Sequence, residues 1–205
     1  MNVKNIKVIG RDRIGVISEN YNIINKLNVD NFEIKGRKYS APIAKNFMYV
    51  SASNMSNGSV VAETFGAGFV GDMEFGYVRT SKTNATVKTT GKEAAGFTAD
   101  SERTIVSCHS TSKVYGKHSI AGFVSSNMGY VGYSSFTGKV YASQGKDKKA
   151  KFVGNFASYK AKAKKYRGFK LKPKYVKCKA KGSRYVKGKK VKNVFFGKYG
   201  KSKGN

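Results

Sequence analysis

Residues that commonly carry covalent or metal chemistry are few in this sequence. The cysteines are Cys108 and Cys178, and the histidines are His109 and His118. A cysteine with a nearby histidine can act as a nucleophile with its base, and two cysteines with two histidines can bind zinc. Neighbouring residues of a β-strand point to opposite faces, however, which would separate Cys108 from His109. The four residues also lack the Cys-x-x-Cys and His-x-x-x-His spacings that indicate a zinc site.

Other catalytic patterns are incomplete. Gly200-Lys201-Ser202 matches the end of a phosphate-binding loop, but Phe195 occupies the position that requires the upstream glycine. The eleven acidic residues are scattered through the first 147 positions. No two of them are spaced in a way that suggests glycosidase or metal chemistry. We therefore predict a protein that is not an enzyme, with no metal site and no cofactor.

Lysine supplies the strongest chemical signal. The formal net charge is +29. Residues 148–205 contain 22 Lys or Arg and no acid, whereas residues 1–147 contain 18 basic and 11 acidic residues. A net charge of this size usually implies a partner that neutralises it, and nucleic acid is the most common one. An anionic membrane surface, an acidic protein and a merely basic, soluble surface are the alternatives.

Lysines alternate with apolar residues inside this C-terminal third. They occupy every second position in three runs, with a shift of phase before the third: Lys160, Lys162 and Lys164; Lys170, Lys172 and Lys174; Lys177, Lys179 and Lys181. Alternation predicts β-strands with one residue class on each face. One face would pack on preceding β layers, and the other would form a row of ammonium groups about 6.7 Å apart. A bound polyanion would relieve the repulsion along such a row.

These patterns give a set of predicted binding residues. The predicted polyanion-binding residues are Lys160, Lys162, Lys164, Lys165, Arg167, Lys170, Lys172, Lys174, Lys177, Lys179, Lys181, Arg184, Lys187, Lys189 and Lys190. Tyr166, Tyr175 and Tyr185 are candidates for stacking on exposed bases, or for the buried face of the same strands. Lysine is more frequent than arginine, which suits phosphate contacts better than base recognition. Binding should therefore depend little on sequence and strongly on salt.

From about residue 41 the sequence repeats itself. Ala67-Gly68-Phe69-Val70 returns as Ala95-Gly96-Phe97-Thr98 and as Ala121-Gly122-Phe123-Val124, at intervals of 28 and 26 residues. Lys151-Phe152-Val153-Gly154 is a fainter copy, and Asn46-Phe47-Met48-Tyr49 is a possible earlier one. Each unit holds about three short strands, which cannot bury their apolar face alone. Stacked units predict a β-solenoid or a related layered sheet, although a β-sandwich has similar strand spacing.

One stretch of the repeat resembles a known family. Ala121-Gly122-Phe123-Val124-Ser125-Ser126-Asn127-Met128-Gly129-Tyr130-Val131, continuing to Thr137-Gly138-Lys139-Val140, is similar to the GLUG repeat. That repeat is named for its glycine–leucine–any–glycine core, and phenylalanine replaces the leucine here. Residues 65–155 carry the resemblance. GLUG repeats occur in bacterial and phage-encoded surface proteins, so the resemblance implies a β-solenoid-like structure without shared catalytic residues.

The N-terminal segment has a different period. Apolar residues recur there at helical spacing, namely Ile14, Ile17, Tyr21, Ile24 and Leu27. Asp12 could cap the start of a helix, and Asn31 could lie just past its end. The spacing therefore predicts one short amphipathic helix whose apolar stripe contacts the core or caps its end.

The predicted fold is mainly β. It is a repetitive layered β-sheet or β-solenoid with a short N-terminal helix and a lysine-rich β extension at the C-terminus. Residues 1–40 form the N-terminal cap, residues 41–157 form the repeat body in units of about 26–29 residues, and residues 158–205 form lysine-rich strands and a flexible tail.

The predicted function is that of a non-enzymatic structural protein of a large nucleoprotein particle, above all a phage or virus virion. Its basic third would contact nucleic acid or another polyanion. The alternative is an extracellular fibre or adhesion module that binds an anionic glycan or an acidic protein. No signal peptide and no run of about 20 apolar residues is recognisable, so we expect a virion or cytoplasmic nucleoprotein location without a membrane span. Exposed β edges favour a homo-oligomer or other proteins of an assembly.

Overall fold

The protein is a β-solenoid in which the chain passes repeatedly through four sheets. The computed structural model describes residues 1–143, 153–158, 164–166, 169–171 and 173–197, the two three-residue segments by their backbone alone. One pass of the chain around the solenoid is called a rung, and the sheets are named A to D in the order in which a complete rung passes through them. Sheet D has six strands, which mark six rungs and about five turns.

The strands are numbered in chain order. Sheet A comprises β1 (Asn2–Ile9), β4 (Asn28–Gly36), β7 (Asn54–Ala62), β11 (Lys82–Thr89), β15 (His109–Ser110), β16 (Lys113–Gly116), β20 (Ser135–Phe136), β21 (Lys139–Ala142), β26 (Lys179–Ala180), β27 (Ser183–Val186) and β28 (Lys189–Val191). Sheet B comprises β8 (Phe65–Ala67), β12 (Glu93–Ala95), β17 (Ser119–Ala121) and β22 (Val153–Gly154). Sheet C comprises β2 (Ile17–Asn20), β5 (Ile43–Asn46), β9 (Val70–Met73), β13 (Thr98–Ser101) and β18 (Val124–Asn127). Sheet D comprises β3 (Ile24–Asn25), β6 (Tyr49–Ser51), β10 (Tyr77–Arg79), β14 (Thr104–Val106), β19 (Tyr130–Gly132) and β25 (Lys174–Val176).

Two hairpins depart from the parallel pattern. β23 (Lys164–Tyr166) and β24 (Phe169–Leu171) pair antiparallel between β22 and β25. β27 and β28 also pair antiparallel, and the turn between them holds Lys187 and Gly188 at φ 49° and 74°. Two central residues with positive φ are typical of the tight turn that joins antiparallel strands. We call β26, β27 and β28 the end cap, because they follow the sixth rung on sheet A.

Alternation along each strand of sheet A builds the core. Residues in register on successive rungs form a column of inward side chains, and one such column has fully buried aliphatic residues in five successive rungs: Ile34, Val60, Val87, Val114 and Val140. Burial of each of these side chains contributes about 1.5–3 kcal/mol before entropy is counted. A single rung could not bury this face, so the rungs stabilise one another.

The Ala-Gly-Phe repeat lies between sheets B and C. The phenylalanine rings stack along the axis at 4.6 or 4.7 Å between centroids and within 16° of parallel; we call them the phenylalanine ladder, which comprises Phe69, Phe97, Phe123, Phe156 and Phe195. A Cβ atom on Gly68, Gly96 or Gly122 would collide with a backbone carbonyl oxygen of the next rung. The repeat therefore combines a glycine where rungs approach closely with a ring that fills the core.

The flanking copies of the repeat lie elsewhere than predicted. Phe123 stacks on Phe156, whereas Phe152, the predicted fourth copy, lies outside the described residues. On the N-terminal side, Ile43 pairs with Val70, so Pro42 stands where the next phenylalanine would be. Extra residues lengthen the interval between Phe123 and Phe156 to 33 residues. The interval from Pro42 to Phe69 is 27 residues, and there the proline itself hides the repeat.

The predicted N-terminal helix is wrong, and the described residues contain no helix. Residues 14–27 form β2, β3 and the corners around them. Ile14, Ile17, Ile24 and Leu27 do pack on the core, whereas Tyr21 is 65% exposed. In this segment short strands of two to four residues alternate with corners. An inward-pointing residue therefore occurs at every third or fourth position, which is also the spacing of apolar residues along one face of a helix. Parallel pairing with β5 and β6 satisfies the backbone groups.

The predicted capping residues have other roles. Asp12 accepts a hydrogen bond of 2.7 Å from Nη2 of Arg37 in the next rung. Asn31 lies inside β4 with φ 52°, and its Nδ2 donates to Oδ1 of Asn5 at 2.7 Å. Asn5, Asn31 and Asn57 all have positive φ at equivalent positions, so they mark a bulge that recurs in three rungs. No helix in the described ranges has the length and apolar character to cross a bilayer.

Candidate polyanion-binding surface

The outer side of sheet A carries a broad cluster of cationic and hydroxyl side chains. Parallel strands in register place equivalent residues one above another, about 4.8 Å apart. We call the outward residues of the last rungs and the end cap the basic face; they are Lys82, Lys88, His109, Thr111, Lys113, Tyr115, Ser135, Thr137, Lys139, Tyr141, Lys179, Lys181, Tyr185 and Lys190. The acid that follows Glu102 in the sequence is Asp147, so the basic face itself contains no carboxylate.

One column of sheet A shows how the charge changes along the axis. Near the N-terminus, Nζ of Lys7 lies 3.1 Å from Oε2 of Glu33 in the next rung. In the same column further down, Lys113 is the register partner of Lys139, and both side chains are exposed. Like charges directly opposite each other destabilise a strand pair. Within the described residues neither lysine forms an ion pair, so this repulsion has no internal compensation.

Tyrosines form a second column two residues along the strands. Tyr115 and Tyr141 stack at 4.5 Å, and Tyr141 and Tyr185 stack at 4.8 Å between ring centroids. We call these three residues the tyrosine ladder. Both ring faces of Tyr141 are covered by its neighbours, while Nζ of Lys88 lies 5.8 Å from the Tyr115 ring. The ladder therefore offers ring edges and hydroxyls to a ligand rather than open ring faces.

The tyrosine hydroxyls are donors at neutral pH. Burial, followed by the neighbouring Tyr141, raises the pKa of Tyr115. The phenol consequently keeps its proton well above pH 7, and it can donate to an anionic oxygen. Hydroxyl donors thus stand beside the ammonium groups of Lys113 and Lys139.

His109 lies near the middle of the basic face. Its Nδ1 is 2.7 Å from Oγ of Ser135, and its Nε2 is 3.3 Å from Oγ1 of Thr137. Lys82 is its register partner on one side, and Ser135 with Lys179 continues the column on the other. The imidazole therefore bridges two rungs and contacts a hydroxyl at each nitrogen.

The predicted binding residues fall into separate groups. Lys179, Lys181, Lys190 and Tyr185 lie on the basic face. Lys187 lies in the hairpin turn of the end cap and Lys189 in β28, and both are exposed. These C-terminal lysines therefore lie on sheet A, the same sheet that carries the outward lysines of the earlier rungs.

Lys174 and Lys177 lie on a different side of the solenoid. Lys174 is on sheet D, with Nζ 5.9 Å from the ring of Tyr130. Lys177 is at the corner between sheets D and A, with φ 50° and with Nζ 5.5 Å from the ring of Tyr133. The lysines of the three alternating runs occupy even-numbered positions up to Lys174 and odd-numbered positions from Lys177 onward. The left-handed backbone conformation of Lys177 explains this change, because it turns the chain so that the other set of alternate residues points outward. The predicted row of lysines turns between two sheets here.

Tyr175 packs at the end of the core. Its ring meets those of Phe156, Phe195 and Phe196 edge-on at 6.1, 5.7 and 5.0 Å between centroids. Aromatic contacts of this kind stabilise a core by about 0.5–1.5 kcal/mol beyond area burial. For Tyr175 this geometry agrees with the buried alternative, whereas Tyr185 lies on the basic face.

Arg184 holds the end cap to the body. It stands in register with Val140, in the column that is aliphatic in the earlier rungs. Its Nη1 donates to the carbonyl of Val153 at 2.8 Å, and its Nε and Nη2 donate to the carbonyl of Lys192 at 3.2 and 2.8 Å. Burial lowers the pKa of this guanidinium. The described contacts of Arg184 are therefore with backbone.

The remaining predicted residues cannot be assigned to the surface. Lys164, Lys165, Tyr166 and Lys170 belong to the backbone of the β23–β24 hairpin. The residues outside the described ranges are Lys160, Lys162, Arg167 and Lys172.

Sequence reasoning missed the part of the basic face that precedes residue 148. Lys113-Val114-Tyr115 recurs as Lys139-Val140-Tyr141 after 26 residues, inside repeat units for which the sequence pattern predicts short strands and no binding residues. Each of these segments carries one lysine, so counting basic residues over long stretches of sequence does not reveal this part of the basic face. The signal was an exposed Lys-x-Tyr pattern at the repeat interval, which places like residues in one column.

The cysteines have a structural role. Cys108 is 1% exposed, and burial raises the pKa of its thiol to about 12. Its Sγ donates to the carbonyl of Val106, just as Oγ of Ser81 and of Ser134 donate to carbonyls two residues back. Cys108 therefore replaces a serine in a column of corner residues and points away from His109. The described ranges place no group of three or more His, Cys, Asp or Glu side chains where it could hold a metal ion.

Carboxylates gather on the outside of sheets B and C. Asp72 and Asp100 are register partners, and Lys45 lies 2.8 Å from Oε1 of Glu74 and 4.0 Å from Oδ2 of Asp72. Burial, with the charge of Asp100 as the next cause, raises the pKa of Asp72 and of Glu93 to about 7. We call Asp72, Glu74, Glu93 and Asp100 the acidic strip. The strip is on sheets B and C, and the basic face is on sheet A.

Comparison with known proteins shows the fold and leaves the family open. No family model and no curated protein matches the sequence. The crystal structure of a putative immunoglobulin A1 protease from Bacteroides ovatus is similar, with a TM-score of 0.77 and 14% identity over 94% of this chain and 62% of that chain. The chain therefore spans less than two thirds of the length of that protein. At this identity the likeness shows a shared β-solenoid fold.

Proposed function

We propose that this chain is a non-enzymatic β-solenoid module whose basic face binds an extended polyanion, and that the polyanion is nucleic acid. The observation that carries the proposal is the pairing of Lys113 with Lys139. These exposed lysines face each other across neighbouring strands, with tyrosine hydroxyls on one side and no carboxylate among the outward residues. A bound row of phosphates would turn this internal repulsion into attraction.

The contacts available on the basic face suit phosphate rather than bases. Lysine ammonium groups are compact point charges, and they bind phosphate oxygens without demanding a fixed orientation. The stacked tyrosines hide most of their faces, so bases would stack only at the ends of the ladder, beside Lys88 or beyond Tyr185. We therefore expect binding that tolerates many sequences and weakens steeply with salt.

The proposed setting is a large nucleoprotein assembly such as a phage or virus particle. The likeness of residues 65–155 to GLUG repeats supports this setting, because such repeats occur in phage-encoded as well as bacterial surface proteins. A rigid stack of rungs would supply the structural body, and the basic face would attach it to nucleic acid. Among the described residues β1 pairs only with β4, and its other edge would suit pairing with another copy or another protein of the assembly.

A glycan-binding adhesion module is the second candidate. The similar structure from Bacteroides ovatus is described as that of a putative immunoglobulin A1 protease, a name that refers to an immunoglobulin as substrate. Sulfate and carboxylate groups of a glycan offer the same charges to Lys113 and Lys139 as phosphates do. Hydroxyl-rich sugars would also accept donors from the edges of the tyrosine ladder.

The test is a salt series of binding to a single-stranded oligodeoxythymidylate, to duplex DNA and to heparin. The double variant Lys113→Ser/Lys139→Ser introduces the residue that occupies the same column at Ser59 and Ser183. We expect the slope of log affinity against log salt for the single strand to fall by about 1.4, because each lost phosphate contact contributes about 0.7.

Lys4→Ser/Lys35→Ser is the matched control. It removes the same charge from exposed positions at the N-terminal end of the same sheet. An equal loss in both double variants would contradict a specific role of the basic face. Heparin binding that exceeds nucleic-acid binding at every salt concentration, and that requires Lys113 and Lys139, would favour the adhesion module instead.

A further inference from the structure

We infer that His109 forms, together with the hydroxyls of Ser135 and Thr137, a proton-linked subsite for a phosphate group of the bound polymer. The inference rests on the proposed polyanion binding and names one subsite within it. His109 was first notable as the neighbour of Cys108, but it points outward on β15 while the thiol is buried. Its ring lies across two rungs with Ser135 and Thr137 at its two nitrogens.

Protonation of the ring changes what the two hydroxyls can do. In neutral imidazole one nitrogen is an acceptor, so one of the two hydroxyls must donate its hydrogen to the ring. In imidazolium both nitrogens donate, at 2.7 Å to Oγ of Ser135 and at 3.3 Å to Oγ1 of Thr137. Both hydroxyl hydrogens are then free to point outward. One proton therefore adds a positive charge and one more donor at the same place.

The groups around His109 favour an anion there. Lys82 on β11 and Ser135 on β20 flank it in its own column, and Lys179 on β26 follows. Lys113 lies further along its own rung. The outward positions of these strands include no carboxylate that could neutralise the imidazolium. A bound phosphate would supply the missing negative charge, and it would therefore favour uptake of the proton.

Phosphodiester groups are the chemistry that fits this subsite. They stay singly charged between pH 6 and pH 8, so the pH dependence of binding reports on the protein. Histidine is the side chain that ordinarily changes charge in this range. A hydrogen bond to a charged group is strong enough to change affinity about tenfold.

The experiment measures the affinity of the full chain for a single-stranded oligodeoxythymidylate at pH 6 and pH 8, at constant ionic strength. We expect the unmodified protein to bind about tenfold more tightly at pH 6. His109→Gln keeps a side chain that hydrogen-bonds to the hydroxyls but cannot gain a proton, so its affinity should change much less. Calorimetry in two buffers of different ionisation enthalpy should show proton uptake on binding that is reduced in this variant.

His118→Gln is the matched control, since the chain has two histidines. His118 lies in the turn between β16 and β17 and is not one of the basic-face residues. The control should keep the full pH dependence, and it also accounts for the titration of Asp72 and Glu93, which both variants retain. Equal pH dependence in His109→Gln and the unmodified protein would overturn the subsite and leave the proposed function standing. No binding by the unmodified protein at either pH would contradict the proposed function itself.

Discussion

The phenylalanine ladder and the tyrosine ladder have nearly the same geometry in opposite surroundings. The phenylalanine rings stack at 4.6–4.7 Å and the tyrosine rings at 4.5–4.8 Å. Phe69, Phe97 and Phe123 are 0% exposed, whereas Tyr115 and Tyr141 are partly exposed on the basic face. Both spacings equal the distance between neighbouring rungs, about 4.8 Å. A solenoid therefore stacks like aromatic residues wherever they recur in one column.

The difference between the ladders lies in what else their rings contact. The phenylalanine rings fill the core, so their removal leaves a cavity. The tyrosine rings cover one another and leave their edges in solvent, where Lys113 and Lys139 stand beside them. Ring stacking alone therefore does not distinguish a core residue from a binding residue. The burial of the rings and the charge of their neighbours do. Three of the predictions below test the two ladders, and one tests the acidic strip.

Phe97→Ala should have the largest effect. Phe97 stacks on Phe69 and Phe123, and its loss should lower the free energy of unfolding by about 3–5 kcal/mol. Tyr141→Ala in the outer ladder should cost less than about 1.5 kcal/mol, because solvent fills the space. Urea unfolding followed by circular dichroism measures both. Similar losses in the two variants would mean that the outer ladder also supports the fold.

Gly96→Ala should have the next largest effect on stability. A Cβ at this position would collide with the carbonyl oxygen of Gly122, beneath the phenylalanine ladder. The backbone would have to shift, and we expect a loss of about 1–3 kcal/mol in thermal or urea unfolding. Gly188→Ala is the comparison, since nothing lies within 4 Å of its Cβ and only its φ of 74° is unfavourable. A larger loss at Gly188 would show that the rungs can separate at low cost.

The acidic strip should make stability depend on pH. The raised pKa of Glu93, about 7, means that the folded state holds this proton more tightly than the unfolded state does. The free energy of unfolding should therefore fall as the pH rises from about 4 to about 7. The fall should be about 1.4 kcal/mol for each unit by which the pKa of Glu93 in the folded state exceeds its pKa in the unfolded state. Glu93→Gln should flatten this fall and stabilise the protein at pH 8.

Exposed Glu63→Gln is the control for the strip, and it should leave the pH profile unchanged. Unfolding curves between pH 4 and pH 8 measure all three proteins. A profile of the Glu93 variant that equals that of the unmodified protein would mean that water reaches this carboxylate freely.

Tyr141→Phe should have the smallest effect. It keeps the stack with Tyr115 and Tyr185 but removes one hydroxyl from the basic face. Stability should change little, and the affinity for single-stranded DNA should fall about two- to tenfold, the usual contribution of a hydrogen bond. Fluorescence anisotropy with labelled oligodeoxythymidylate measures it. Unchanged affinity in this variant, with Tyr141→Ala also unchanged, would remove the tyrosine ladder from the proposed site.

The repeat made much of the fold predictable. Ala-Gly-Phe at intervals of 28 and 26 residues indicated stacked units, because the glycine and the ring recur at the same place in three successive rungs. The N-terminal residues misled, since inward residues such as Ile14, Ile17 and Ile24 have the spacing of a helix. Short strands and a helix share this spacing, and only pairing with the next rung distinguishes them.

The candidate site was predictable in its chemistry and less so in its position. Lysine content alone indicated a polyanion, and the alternation of Lys179 with Lys181 indicated an exposed row. Lys113 and Lys139 are 26 residues apart in the chain, and nothing local shows that they are neighbours. The corner at Lys177 likewise decided which lysines share a face.

The sequence by itself determined the β character, the stacking of repeated units and the excess of positive charge, since these depend on residue type and spacing along the chain. The tertiary structure alone decided that the phenylalanines lie inside and the tyrosines outside, that Lys113 faces Lys139, and that His109 lies among lysines and hydroxyls. The physical reason is register. A shift of one residue, or one corner in the left-handed conformation, moves a side chain to the other face of the sheet, and register is fixed only when the rungs pack together.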